Sequence, residues 1–298
     1  MKNTTLFLLL LAVAAMLLIA GCTQQQPAQQ VQQTVPPAAQ PTTGQAAADT
    51  VRAASSPLGT ILTDANGRTL YYFANDKAGG SASACSGQCA ATWPAFPAGT
   101  VHVSSPLDPA DFGTITRADG TKQTTYYGWP LYYYGADANA GDVKGDGILG
   151  IWFAIKPDES VLVAHTPDLG SYLTDSSGKT LYVFTKDSGG NSSCTGACIT
   201  KWPAFGPDYP VTNPSVLNNA DFTTVSRDDG MKQTAYRGRP LYYYAGDGLP
   251  GDANGQGFNN LWYVANVSGL TPAAAVPTAV PTAVPTTNPA ATSYGGGY

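Results

Sequence analysis

Basic residues are scarce. The 298-residue chain carries 15 Lys and Arg against 20 Asp and Glu, a formal net charge of -5. It has no Lys/Arg cluster of the kind a phosphate backbone requires, which excludes a nucleic-acid partner. Charged residues of both signs make up only 12 %, too few to coat long solvent-facing helices. Long hydrophobic runs are missing as well. The longest, Leu6 to Ala20, spans about 15 residues, short of the ~20 that cross a bilayer comfortably. The sequence contains no Gly-x-Ser-x-Gly, no phosphate-binding loop and no zinc-type His pair, so the common hydrolase and nucleotide signatures are excluded.

What is abundant points to strands and turns. There are 33 Gly, 23 Pro and 17 Tyr, with 43 % hydrophobic residues. That mix favours aromatic strands separated by tight turns. At the N-terminus Lys2 precedes the apolar stretch, which runs into Ile19-Ala20-Gly21-Cys22. Small residues before a Cys at that place resemble the lipobox of prokaryotic lipoproteins, in which the thiol is acylated and becomes the mature N-terminus. An ordinary signal peptide with an incidental Cys is the plainer alternative. The expected order is therefore a signal peptide over 1–21 and a lipidated Cys22 with a flexible linker over 22–56. Residues 23–56 are rich in Gln, Ala, Pro and Thr, too polar to order themselves. Residues 269–298, with Val-Pro-Thr-Ala repeated, read as a disordered extension.

Between these segments the chain is written twice. Leu58-Gly-Thr-Ile-Leu-Thr-Asp64-Ala-Asn-Gly67 recurs as Leu169-Gly-Ser-Tyr-Leu-Thr-Asp175-Ser-Ser-Gly178. Cys85-x-x-x-Cys89 with Trp93-Pro-Ala-Phe96 recurs as Cys194-x-x-x-Cys198 with Trp202-Pro-Ala-Phe205. A Gly-Asp-x-x-Gly-x-Gly loop before Trp152 recurs before Trp262. The offset of about 110 residues is too long for a solenoid and suits tandem domains, assigned here to 57–160 and 161–268. A shorter motif, Tyr-x-aromatic-x-x-Asp, occurs four times: Tyr71, Phe73 and Asp76; Tyr132, Tyr134 and Asp137; Tyr182, Phe184 and Asp187; Tyr242, Tyr244 and Asp247. Each domain is thus expected to consist of two related halves. Asp-x-x-Gly turns between β-prone runs predict hairpins, and Tyr71 and Phe73 should share one strand face with Tyr72 on the other. The fold class expected is all-β, with two tandem homologous domains of hairpin-rich halves forming a small barrel or sandwich. One helical turn is expected after each second Cys.

The four-fold motif, the Cys-x-x-x-Cys pairs before Trp-Pro and the Gly-Asp loop together resemble the secreted-repeat lipoprotein family of prokaryotes. The resemblance covers Leu58 to Val267. It implies a repeat structure outside the cytoplasm, attached to the cell membrane or outer membrane by lipid, and implies little about chemistry.

The residues themselves leave several chemistries open. With Cys22 set aside, Cys85, Cys89, Cys194 and Cys198 form two equal pairs. Outside the cytoplasm these are expected to close as local disulfides. Copper or redox chemistry at the same thiols is the sharper alternative, weakened because His102 has no repeat and His165 precedes the second pair. The motif aspartates are expected to accept backbone N–H groups beyond their strands, or to converge as ligand carboxylates. Asp137, Asp142 and Asp146 offer oxygen ligands to calcium, less convincingly in the second copy, where Gln256 replaces Asp146. Trp93, Trp152, Trp202 and Trp262 read as core, or as a platform for sugars. Trp129, matched by Arg239, is expected at the surface. The function expected is a non-catalytic cell-surface binding or structural module with an unidentified protein or cell-wall glycan partner and no cofactor. A metal or redox protein is the first alternative, and a carbohydrate-active enzyme with paired carboxylates the second.

Overall fold

Strands form between the turns the sequence marks. The computed structural model describes residues 50–206 and 210–268, so the signal peptide, Cys22, most of the linker and the C-terminal tail lie outside the described residues. The first copy comprises β1 (Val51–Ser56), β2 (Gly59–Asp64), β3 (Tyr71–Phe73), α1 (Gln88–Thr92), β4 (Phe112–Thr116), β5 (Lys122–Tyr126), β6 (Trp129–Pro130) and β7 (Trp152–Ala154). The second repeats that order as β8 (Val161–Thr166), β9 (Gly170–Asp175), β10 (Tyr182–Phe184), α2 (Ala197–Lys201), β11 (Phe222–Ser226), β12 (Lys232–Tyr236), β13 (Arg239–Tyr242) and β14 (Trp262–Val264). The protein is all-β apart from short helical turns.

The Asp-x-x-Gly turns work as expected. Asp64 Oδ1 accepts the N–H groups of Asn66 and Arg68 at 2.8 and 2.9 Å, and Asp175 Oδ1 accepts those of Ser177 and Lys179 at 3.0 and 2.9 Å. A short side chain that satisfies its own turn is why Asp ends both strands. The single-turn helices begin one residue before Cys89 and Cys198, slightly earlier than expected. Residues 51–56, assigned above to the linker, instead form β1 and pair with β2 from Val51↔Asp64 to Ser56↔Gly59. Their composition is linker-like, and only the partner strand, which brings buried Ile61 and Leu62, makes pairing worthwhile.

The strands lie in several small antiparallel sheets. In the second copy the order is β11-β12-β13-β10-β14. In the first copy the same order is split into β4-β5-β6 and β3-β7, joined by the antiparallel bridge Tyr71↔Tyr132. Each hairpin joins its sheet through the same bonds: Leu62 N–H donates to the Ile155 carbonyl at 2.8 Å, and Leu173 N–H to the Ala265 carbonyl at 2.9 Å.

Strand alternation divides the core. Tyr71 and Phe73 face a cluster with Ile61, Trp93, Tyr132 and Trp152, whereas Tyr72 faces the other way. On that second side the copies meet. Tyr72, Trp129 and Phe153 share one buried cluster with Val161, Leu162, Val163 and Ala164 of β8. Val163 N–H donates to Tyr72 Oη at 3.2 Å, and His165 N–H to the Ala74 carbonyl at 2.7 Å. Trp129 is therefore not a surface residue. It is 2 % exposed, and its Nε1 donates to the Ser176 carbonyl at 3.1 Å. The 175–178 turn lies against it: a Cβ on Gly178 would stand 3.5 Å from the Trp129 ring and 2.5 Å from the Ala78 Cβ.

Candidate functional site

The motif is the natural place to look for chemistry, and its four instances come together in pairs. At the centre of the first copy Tyr71 and Tyr132 exchange backbone hydrogen bonds, 2.9 Å each way. From this antiparallel pair each side chain reaches across to the other half. Tyr71 Oη donates to Asp137 Oδ2 at 2.6 Å, and Tyr132 Oη donates to Asp76 Oδ2 at 2.5 Å. The second copy repeats the exchange: Tyr182 Oη donates to Asp247 Oδ2 at 2.6 Å, and Tyr242 Oη to Asp187 Oδ2 at 2.7 Å. Each half thus supplies a tyrosine to the other half's aspartate.

The second carboxylate oxygen of each aspartate shapes the loop that follows. Asp76 Oδ1 accepts Ala84 N–H at 2.6 Å, Asp137 Oδ1 accepts Lys144 N–H at 3.0 Å, Asp187 Oδ1 accepts Ser193 N–H at 2.7 Å and Asp247 Oδ1 accepts Asn254 N–H at 2.9 Å. The loop-shaping role expected of these carboxylates is what the geometry shows. Burial pushes the Asp76 carboxyl up to about 6 and raises Asp137 and Asp247 above the usual carboxylate range. It also holds the phenols of Tyr71, Tyr132, Tyr182 and Tyr242 well above their ordinary value, so the shared proton stays on the tyrosine.

The motif's middle position has its own task. Phe73 stacks on Trp152 at 4.1 Å, Trp152 on Trp93 at 3.8 Å, and Trp93 leans on Tyr134 at 4.4 Å. The second copy builds the same column from Phe184, Trp262, Trp202 and Tyr244, at 4.2, 3.8 and 4.4 Å. The indole faces are covered by one another and by the motif aromatics, which leaves them as core and not as a sugar platform. The Gly-rich loop closes over this column: a Cβ on Gly145 would stand 2.8 Å from Trp93, and one on Gly255 the same distance from Trp202. Glycine there is a packing requirement.

The cysteines pair locally, Cys85 with Cys89 and Cys194 with Cys198, with Cα atoms 5.3 Å apart in each case. As disulfides they present no thiolate to copper. His165 Nδ1 lies 3.1 Å from Ser171 Oγ, and His102 meets Thr50 through its backbone. The calcium candidates are likewise committed elsewhere. Asp142 Oδ2 accepts Ala138 N–H at 2.9 Å and Lys144 Nζ at 2.8 Å, and Asp146 Oδ1 accepts Ala154 N–H at 2.9 Å. In the second copy Gln256 Oε1 accepts Val264 N–H at 2.8 Å. The amide keeps the acceptor that the carboxylate supplies in the first copy. Among the described residues no group of three or more His, Cys, Asp or Glu side chains is arranged to hold a metal ion.

One pair of buried networks escaped the sequence reading. Arg117 Nη1 donates to Gln123 Oε1 at 2.6 Å and Nη2 donates to the Cys85 carbonyl, while Gln123 Nε2 donates to the Leu131 carbonyl at 2.7 Å. Arg227 and Gln233 repeat this on the Cys194 and Leu241 carbonyls at 2.7 and 2.6 Å. They hold each disulfide loop to its sheet. The signal was present, since Arg-x-Asp-Gly-x-Lys-Gln-Thr recurs at 117–124 and 227–234.

Against known proteins, a family model described as a secreted repeat of unknown function matches at residues 52–96, 113–156, 163–205 and 223–266. Each copy contains two matches, one for each half that the motif defines. No curated protein and no solved structure matches the chain.

Proposed function

The chain belongs to the family of secreted repeats of unknown function, and on that premise we propose that it is a lipid-anchored, non-catalytic module of the cell exterior. Cys22 carries the acyl chains, residues 23–49 are the stalk, and the doubled fold is the part presented for binding. Secretion follows from the family; the anchor and the binding role are the proposed steps. Among the described residues no helix is long and apolar enough to cross a membrane.

The observation that carries the non-catalytic reading is the reciprocal Tyr–Asp exchange. The motif's four aspartates and four leading tyrosines are the most repeated reactive groups in the chain, and all eight bond to one another inside the fold. A group held that way stiffens the scaffold and has no free valence for a substrate. The recognition surface then lies in the loops and clefts outside the motif.

Fractionation of cells expressing the chain tests the anchor. The native chain should sediment with membranes and be removed from intact cells by protease. Cys22→Ala, or treatment with globomycin, should change its fractionation and abolish acylation. A Cys22→Ala chain that still incorporates labelled fatty acid and stays with membranes would overturn the reading.

A further inference from the structure

An open cleft of about 680 Å³ lies where the two copies meet. Its walls include Tyr127, Asp158, Glu159, Asp175, Phe205 and Tyr243, and no Lys or Arg is among its described lining residues. Glu159 is 6 % exposed, and its Oε1 has no hydrogen-bond partner. Its Oε2 accepts only a long bond of 3.4 Å from Lys156 N–H. The Lys156 ammonium forms an ion pair with Oε1 at 3.7 Å, too long for a hydrogen bond, and donates its hydrogen bond to the Asn213 carbonyl at 2.7 Å. A buried acceptor left without a donor is costly, and a donor entering the cleft would relieve that cost.

The other groups facing Glu159 are Asp158 and Asp146, which oppose its ionisation, and Tyr72 from β3. Burial pushes its carboxyl up to about 8. The rest of the wall suits a positive charge. Phe205 and Tyr243 meet edge to face at 5.6 Å, and Tyr127 is 38 % exposed beside them. Aromatic rings with carboxylates are the ordinary surroundings of an organic ammonium group, and here it would compete with the Lys156 ammonium, which pairs with Glu159 at 3.7 Å.

The first copy supplies an internal control. Its equivalent cleft, about 280 Å³, keeps the same trio of Asp64, Phe96 and Tyr133. There Arg68 already lies over the Tyr133 ring at 3.9 Å, and no buried Glu faces the space.

We propose that the junction cleft binds an alkylammonium group, with Glu159 as its counter-ion and Tyr127, Phe205 and Tyr243 as its aromatic wall. This rests on the binding-module reading above and names the ligand class.

Calorimetric titration of the full chain in non-ionic detergent tests it, with cadaverine and Nα-acetyl-lysine amide as probes. Amine binding should expel the Glu159 proton, so about one proton per site should be released at pH 7. Affinity should then rise about tenfold from pH 6 to pH 7. Glu159→Gln keeps the shape, removes the charge, and should weaken binding at least tenfold with no proton released. Tyr127→Asn, chosen because Asn tolerates the left-handed backbone at φ 47°, should weaken binding several-fold and guards against a folding defect in the first variant. Preference for the lysine amide would assign the site to protein-borne lysine, and preference for cadaverine to a free diamine. Absence of saturation by both probes at millimolar concentration, unchanged affinity in Glu159→Gln, or binding without proton release would each overturn the proposal. Those results would leave the Cys22 anchor untouched, and a failed anchor would leave this titration intact.

Discussion

The two copies agree on their insides and differ on the faces they turn to their neighbours. The Tyr–Asp exchange, the aromatic column, the disulfide and the Arg–Gln anchor are repeated with hydrogen bonds that match within a few tenths of an ångström. Tyr72, Trp129 and Phe153 of the first copy, however, correspond to Val183, Arg239 and Tyr263 of the second. In the first copy these positions pack against β8 and the turn beyond β9; in the second, Arg239 and Tyr263 stay partly exposed. A repeat that joins a successor needs an apolar face there, and a repeat that ends the array needs a polar one. The divergence therefore follows what each face packs against in this chain: β8 in the first copy, solvent at Arg239 and Tyr263 in the second.

The largest expected effect breaks this asymmetry directly. Trp129→Ala should destabilise the full chain by about 3–5 kcal/mol in urea unfolding, because it empties the junction and removes the bond to Ser176. Arg239→Ala, at the matching place, should stay within about 1 kcal/mol. Equal losses at the two sites would mean that the copies are not joined through Trp129.

Next come the two locks, which should be equal. Tyr71→Phe leaves the buried Asp137 Oδ2 without its donor, and Tyr182→Phe does the same to Asp247. Each should cost about 1–3 kcal/mol. A double-mutant cycle of Tyr71→Phe with Asp137→Asn should show coupling, whereas Tyr71→Phe with Asp247→Asn should be additive. Coupling between the copies would show that the locks communicate.

Much of this architecture was legible in the sequence, and the gaps have a common cause. Repetition showed which positions are equivalent, and i, i+2 alternation correctly separated Tyr71 and Phe73 from Tyr72. The Asp-x-x-Gly turns and local cysteine pairs needed only near neighbours, so they could be read from short windows. The match of Trp129 to Arg239 predicts a shared, exposed environment, and the structure buries Trp129 instead. Equivalence within a repeat says nothing about what lies beyond the repeat's edge. The reciprocal pairing of each tyrosine with the other half's aspartate spans 55 to 66 residues, and no local pattern encodes a crossing of that kind.

A smaller effect separates the linkage between copies from the copies themselves. Glu159 has no acidic counterpart, since the matching residue is Gly269. Its carboxyl is raised from 4.5 to about 8, so the folded chain retains a proton that the unfolded chain gives up. Stability should therefore be fullest below pH 4.5 for this group and fall as pH rises towards 8, by up to about 1.4 kcal/mol per pH unit. Asp76, raised from 3.8 to about 6, acts in the same direction at the lower end of that window. Urea midpoints at pH 5, 6, 7 and 8 should decline, and Glu159→Gln should flatten the decline between 6 and 8. A stability that rises over that range would contradict an acid whose burial outweighs its pairing with Lys156.

The smallest effect is the most discriminating for the loops. Asp146 and Gln256 both accept one strand N–H, from Ala154 at 2.9 Å and from Val264 at 2.8 Å. If an acceptor is all the position requires, Asp146→Gln should change stability by no more than about 0.5 kcal/mol. Added calcium should then shift the melting temperature of neither the native chain nor the variant. A calcium-dependent rise that disappears in Asp146→Gln would mean that the first loop gathers its carboxylates around a cation. The two copies would then differ in chemistry as well as in their outward faces.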